Sequence, residues 1–159
     1  MSLVPKTTLK GLAPDSLSAE RVEPLLRGRF GRPYHYFARC ESTQRELGPD
    51  APEGAVAVAE EQTAGRGRLG RHWHAAPRTS VLVSINLRPD VATRRLPELA
   101  LVGGAAVADA ITAQTGIPSE VRFPNDVLIG GRKVAGILAE AREDRVVLGI
   151  GINANMAAA

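Results

Sequence analysis

The sequence holds a single cysteine, Cys40, so no disulfide can close within the chain, and a reducing, cytoplasmic setting is the expectation. It has no long hydrophobic run. The longest apolar stretch, Leu99 to Ile111, is too short to span a bilayer and carries Asp109, so it reads as a core helix with no membrane role. The first residues show none of the basic, apolar and small-residue succession of a signal peptide. No Walker-type GxxxxGK[ST], no GxSxG and no GxGxxG after a strand occurs. Histidine is scarce: His72 and His74 flank Trp73 without a carboxylate or cysteine nearby, which favours a surface pair over a metal site, and His35 is an ordinary strand residue. Internal repeats and low-complexity tracts are missing too.

What is present is the makeup of one folded domain. The 159 residues are 44% hydrophobic and 23% charged, enough apolar material for a substantial core. The net charge of +3 suits anionic ligands but falls short of a dedicated nucleic-acid binder.

Element signals run along the whole chain. Ser16 to Arg27 suggests a short helix capped by Ser16 or Ser18 and broken at Pro24, within an N-terminal extension over residues 1–30. Tyr34 to Arg39 alternates as a strand, and Ser42 or Thr43 caps a short helix over Gln44 to Leu47. Ala55 to Glu60 and Thr79 to Leu87 read as strands. A long helix from near Leu96 to Gln114 follows, with Pro97 in its first turn and Gly116 as its stop. Inside it, Gly103 and Gly104 cost about 1 kcal/mol each against alanine, so they mark close packing against a sheet. Strands are then expected at Glu120–Phe123, Asp126–Ile129, Arg132–Glu140 and Arg145–Asn153, with Gly130 and Gly131 as a two-residue turn. The pattern predicts an α+β fold: a mixed, largely antiparallel sheet with helices on one face.

The stretch Glu61 to Trp73, EQTAGRGRLGRHW, sets Gly65, Gly67 and Gly70 among Arg66, Arg68 and Arg71. It is too flexible for a helix interior and too charged for a core. Backbone N–H groups freed by glycine, with guanidinium forks between them, match phosphate or carboxylate oxygens. Ordering Gly65 to Arg71 costs roughly 7–14 kcal/mol of backbone entropy, with little in the loop's own composition to offset it. About six charge-assisted contacts to an anion, at roughly 1.5–3 kcal/mol each, would do so, which predicts a loop that folds onto its ligand. A solvated Gly/Arg loop or an RGG-like nucleic-acid segment fits the composition equally well.

Three further constellations stand out. Pro124 in RFPND (Arg122–Asp126) cannot donate to a ladder, so it presents Asn125 and Asp126 at a kink, or forms a plain turn. Period-two alternation puts Lys133 on one strand face with Ala135, Ile137 and Ala139, pointing into a pocket or snorkelling from the strand end, and leaves Gly136 on the opposite face. Gly149 and Gly151 share one face of the last strand, leaving room for a ligand or for a packed helix.

Together these stretches resemble the biotin protein ligases. The likeness covers roughly Tyr34 to Asn155 in the family's order: Ser42–Gln44 (STQ), Glu61–Trp73, Pro124–Asp126 (PND), Gly131–Leu138 (GRKVAGIL) and Gly149–Asn155 (GIGINAN). The resemblance implies a catalytic domain of class II aminoacyl-tRNA synthetase-like fold over residues 31–159. It implies a two-step reaction in which biotin and ATP, with Mg²⁺, form biotinyl-5′-AMP, which then acylates a lysine of the biotin carboxyl carrier domain of a carboxylase. Carried over residue by residue, Ser42, Thr43, Gln44, Gln62, Gly65 and Gly136 would bind biotin. Arg66, Arg68 and Lys133 would act on the carboxylate and α-phosphate. Arg71, Trp73, Arg122, Asn125 and Asp126 would lie on the ATP side, with Asp126 as the metal contact.

Some positions depart from that pattern. Arg122-Phe123 stands where the family usually has Lys-Trp, and Gln44 where Asn is usual. Family members continue past GIGINAN with more catalytic domain and a small β-barrel, and the segment before the motifs is too short for the winged helix-turn-helix of repressor-type members. The expectation is therefore a monomeric or homodimeric ligase without specific DNA binding. The rivals are a non-catalytic biotin or nucleotide-binding fragment and, at odds with the arginine loop, a lipoate ligase.

Overall fold

The computed structural model describes residues 16–155. In chain order the elements are α1 (Ala19–Val22), β1 (Tyr34–Phe37), α2 (Thr43–Glu46), β2 (Val56–Ala59), β3 (Ser80–Leu87), α3 (Glu98–Thr115), β4 (Glu120–Arg122), β5 (Asp126–Ile129), β6 (Arg132–Arg142) and β7 (Arg145–Asn153). The strands form one sheet in the order β1-β2-β3-β7-β6-β5-β4. Only β1 and β2 pair in parallel, across a connection long enough to hold α2; the other pairs are antiparallel. This is the mixed, largely antiparallel sheet expected from the sequence.

The two faces of the sheet carry different chemistry. On one, Val127, Ala135, Ile137 and Leu148 form the main core with Ala100, Val107 and Ala108 of α3. The glycine pair of α3 serves this contact as expected: a Cβ on Gly103 would sit 3.1 Å from Leu148 and 3.3 Å from Ile137. Burying aliphatic side chains such as Ile137, 1% exposed, contributes about 1.5–3 kcal/mol each and fixes the sheet as a rigid platform. On the other face, Leu47, Ala55, Ala57 and Val147 make a smaller apolar cluster, and α2 lies there beside the site. The expectation of helices on one face therefore holds for α3, while the single turn of α2 sits opposite.

Local differences have local causes. The expected Ser16–Arg27 helix is cut to α1 plus a 3-10 turn over Glu23–Leu25 that contains Pro24. Its start is stitched to the sheet, with Ser16 Oγ and the Leu17 N–H donating to the buried Glu60 carboxylate at 3.1 and 2.8 Å. Ser42 occupies the N-cap of α2, but its hydroxyl makes no cap bond; the Thr43 N–H donates instead to Gln62 Oε1 at 2.7 Å. Gly130 and Gly131, at φ 55° and 76°, make the predicted tight turn between β5 and β6, and Gly116 ends α3 in the left-handed conformation. No helix among the described residues is long and apolar enough to cross a membrane.

Candidate functional site

A cavity of about 290 Å³ opens on the α2 side of the sheet, between the strands and the arginine loop. Its floor is glycine. A Cβ on Gly151 would come within 2.6 Å of the Trp73 indole, one on Gly136 within 2.8 Å of the same ring, and one on Gly149 within 2.7 Å of Gln44 Nε2. The room left by these missing side chains is thus taken by Trp73 and Gln44, which line the cavity themselves. Gly65 is a matter of close approach rather than flexibility: a Cβ there would lie 2.5 Å from the Trp73 carbonyl oxygen.

Lys133 corrects the face read from simple alternation. Val127 pairs with Ala135 but Leu128 with Lys133, so Val134 is an extra residue in β6. This bulge turns Lys133 onto the face of Gly136, where its Nζ lies 3.2 Å from the position a Gly136 Cβ would take. Ala135 and Ile137 pack into the core under α3.

The arginine loop carries more structure of its own than its composition suggested. The Gly67 N–H donates to Arg71 O at 2.8 Å and the Trp73 N–H to Gly65 O at 2.9 Å, folding the segment into a small hairpin around a 3-10 turn at Arg68–Gly70. Arg66 grips Glu140 through both terminal guanidinium nitrogens, at 2.8 and 3.0 Å, and Arg68 Nη1 donates to Asn125 Oδ1 at 3.2 Å. The expectation that little within the loop could offset the cost of ordering it is corrected accordingly: glycine lets the backbone fold back on itself, and the arginines find acidic and amide partners. The charge contacts remain partly solvent-exposed, so each stabilises the loop only modestly.

At one end the cavity is a polar, water-shielded pocket. Thr43 is fully committed, its N–H and hydroxyl both directed at Gln62 Oε1 and its Oγ1 within 2.8 Å of Ser84 Oγ. Gln44 Nε2 donates to Leu138 O at 3.1 Å. Its Oε1 and the Ser42 hydroxyl have no hydrogen-bond partner among the described residues, although the residues are only 3% and 1% exposed. A buried polar atom left unpaired costs about 1–3 kcal/mol, so this pair is suited to a ligand that offers both N–H donors and a carbonyl. Trp73 Nε1, a donor, is a third buried polar atom of the cavity without a partner among the described residues.

The other end is cationic. Arg66, Arg68, Arg71, Arg122 and Lys133 border the cavity against one carboxylate, Asp126. Asp126 Oδ1 accepts Lys133 Nζ at 2.8 Å and its Oδ2 accepts Arg122 Nη2 at 3.0 Å. Burial pushes the Asp126 carboxyl up, but the bonds from Lys133 and Arg122 outweigh it and hold the group below the usual carboxylate range. Asn125 is fixed by β6, with its Nδ2 donating to Ile137 O at 3.0 Å. No cluster of three or more metal-ligating side chains occurs among the described residues. The His72 and His74 rings stand 5.9 Å apart and tilted, as a surface pair would.

Ser42, Thr43, Gln44, Gln62, Arg66, Arg68, Arg71, Trp73, Arg122, Asn125, Asp126, Lys133 and Gly136 therefore border one cavity, and Gly65 backs it from behind Trp73. Two residues escaped the sequence reading. Ser84 lies inside a run taken as apolar, where Ser80, Leu82, Ser84 and Asn86 fall on one face, and that alternation was the available signal. Glu140 was read only as a strand end.

The profile of the biotin/lipoate A/B protein ligase family matches residues 36–156. The bifunctional ligase/repressor BirA of Bacillus spizizenii is 46% identical over 125 residues, covering 75% of this chain and 38% of its own length. The biotin--[acetyl-CoA-carboxylase] ligase of Mycobacterium tuberculosis is 43% identical over 139 residues, covering 82% of this chain and 52% of its own. The solved structure of the biotin protein ligase from Aquifex aeolicus in complex with biotin and ATP superposes with a TM-score of 0.71 at 37% identity, over 78% of this chain and 53% of that one. The chain thus spans about half the length, or less, of these relatives.

Proposed function

Because the chain belongs to the biotin/lipoate A/B protein ligase family, we propose that it activates biotin with ATP to biotinyl-5′-AMP and passes the biotinyl group to a lysine of a carboxylase carrier domain. One observation carries the reading: buried polar atoms without partners stand at one end of a cavity whose other end is lined with cations. A small molecule with a ureido head and a carboxylate tail satisfies both ends at once.

In this reading Gln44 Oε1 accepts a ureido N–H and the Ser42 hydroxyl bonds the ureido group, while Gln62 and Ser84 hold Thr43 in place. The bare backbone at Gly136 lets the Trp73 ring and Lys133 Nζ pack onto β6 beneath the ligand. Lys133, Arg66 and Arg68 then face the carboxylate where it meets the α-phosphate. A carboxylate is ionised at neutral pH, so it attacks phosphorus without a general base and pyrophosphate leaves. The barrier is largely repulsion between two anions, and fixed cations aimed at that point lower it. Arg71, Arg122 and Asn125 border the nucleotide side, and the Trp73 ring lies across Gly136 and Gly151 on the cavity floor. Asp126, the carboxylate on the cavity wall, would meet a nucleotide-borne Mg²⁺, which neutralises phosphate charge and commonly takes only one or two protein carboxylates. In the second step the carrier lysine amine attacks the acyl carbon and AMP leaves, with the loop keeping water from the mixed anhydride.

The experiment is pyrophosphate release on mixing the protein with biotin and ATP, followed by mass measurement of a carrier domain added to the mixture. Biotin-dependent release and a biotinylated carrier are expected. Binding of biotin without any release of pyrophosphate would reduce the protein to a binding module, and equal turnover of lipoate would move it to the other branch of the family.

A further inference from the structure

Glu140 belongs to none of the motifs, yet it holds the best-placed ion pair of the site. Beyond the bulge, alternation along β6 puts Leu138 and Glu140 on the cavity side while Ile137 and Ala139 face α3. Both carboxylate oxygens are engaged: Oε1 with Arg66 Nη2 at 2.8 Å, and Oε2 with Arg66 Nη1 at 3.0 Å and Arg142 Nη2 at 3.2 Å. The Glu140 side chain is 20% exposed and that of Arg66 42% exposed. Arg66 borders both the substrate cavity and the groove between the loop and the start of α3, and Glu140 borders that groove.

We propose that Glu140 is the positioning residue for Arg66, gripping its guanidinium from behind so that the loop cation faces the cavity before substrate arrives. The inference rests on the ligase reading above. A guanidinium has five N–H donors in a fixed fork, and a bidentate carboxylate takes two of them, which leaves the others for a substrate anion. Arginine on a glycine-rich loop would otherwise lose much rotamer freedom on binding. Anchoring it to a central strand removes that cost in advance. Glu140 does not touch the substrate; it acts through Arg66, which meets the carboxylate on binding and the developing charge in the transition state, so its loss appears in kcat/KM.

The test is Glu140→Gln, which keeps the shape and one acceptor but removes the charge, with melting curves to show that the fold is intact. The kcat/KM for biotin in pyrophosphate release is expected to fall about tenfold, equivalent to about 1.4 kcal/mol. Trypsin cleavage at the loop arginines of the ligand-free protein is expected to quicken by about the same factor. An unchanged kcat/KM overturns the proposal. Should the parent protein release no pyrophosphate with biotin, the ligase reading is what fails. The loop assay then decides for Glu140 alone, and equal cleavage of parent and variant rejects it.

Discussion

Lys133 and Gly136 share a face of β6 although they are three residues apart, because Val134 is an extra residue opposite β5. Regular alternation would have set them on opposite faces. The bulge lets one strand put a cation and a glycine notch side by side under Trp73, whose ring centroid lies 5.5 Å from Lys133 Nζ. Further along the strand, Ala135 and Ile137 still reach the core.

It follows that Lys133→Ala removes the cation nearest the cavity floor without disturbing the platform. Its ion pair with Asp126 is 41% exposed on the lysine side, so the loss of stability should stay below about 1 kcal/mol. Pyrophosphate release should fall by about a hundredfold or more, as for other electrostatic contacts to a developing oxyanion. Normal release from a folded Lys133→Ala protein would take the lysine out of the chemistry.

Much of this was legible in the sequence, and the limits are physical. The Gly130-Gly131 turn, the stop at Gly116 and the packing role of Gly103 and Gly104 are local, and each follows from backbone geometry at one or two residues. The grouping of the arginine loop, Pro124–Asp126 and Lys133 came through motif order. What could not be read were pairings set by the tertiary fold: Gln62 supplying the acceptor that Ser42 or Thr43 was expected to provide, Ser84 bonding Thr43, and Glu140 closing on Arg66. The bulge at Val134 was hidden for the same reason, since register belongs to a pair of strands and not to one.

Gly151→Ala tests the floor. The added Cβ would stand 2.6 Å from the indole, and since Trp73 is the only tryptophan, intrinsic fluorescence reports its displacement directly. Overpacking of this kind costs about 1–3 kcal/mol. The emission maximum should shift to the red and biotin-dependent turnover should fall at least tenfold. An unshifted spectrum with full activity would mean that the ring is not seated on Gly151.

Acid should act through Asp126. Its carboxyl is held below the ordinary range in the folded protein, burial being outweighed by Lys133 and Arg122. A depressed folded value means the unfolded chain takes up its proton first. The stabilisation is complete above the unfolded value of about 3.9 and is lost as pH falls through the lower folded one. Asp126→Asn should therefore be less stable than the parent at neutral pH, and the difference should shrink below about pH 4. Melting temperatures measured from pH 7 to pH 3 check the sign, and a gap that widens in acid would contradict it.

Cys40 sets the opposite slope. Burial first, then the charges of Glu46 and Glu41, push its thiol up to about 11, so the folded state keeps its proton longer than the unfolded chain does. The stability it contributes is whole below the unfolded thiol value of about 8.5 and fades as pH rises towards 11. Alkylation by iodoacetamide at pH 8 should accordingly run at least tenfold slower in the native protein than in denaturant. Comparable rates in the two states would show the thiol to be free.

Ser42→Ala separates binding from stability most cleanly. The hydroxyl is buried and has no partner among the described residues, so in the ligand-free state the variant loses none of their hydrogen bonds and sheds a desolvated polar group. Removing such a group is neutral or stabilising by up to about 1 kcal/mol. With biotin bound the sign reverses, because the ligand then lacks a partner it would otherwise have had, and affinity should fall by about 5- to 100-fold. Thermal melting with and without biotin reads both effects in one experiment: a ligand-free curve equal to or above that of the parent, and a smaller upward shift on adding biotin. A variant that melts well below the parent, yet shows the full shift, would place the Ser42 hydroxyl in the scaffold rather than in the site.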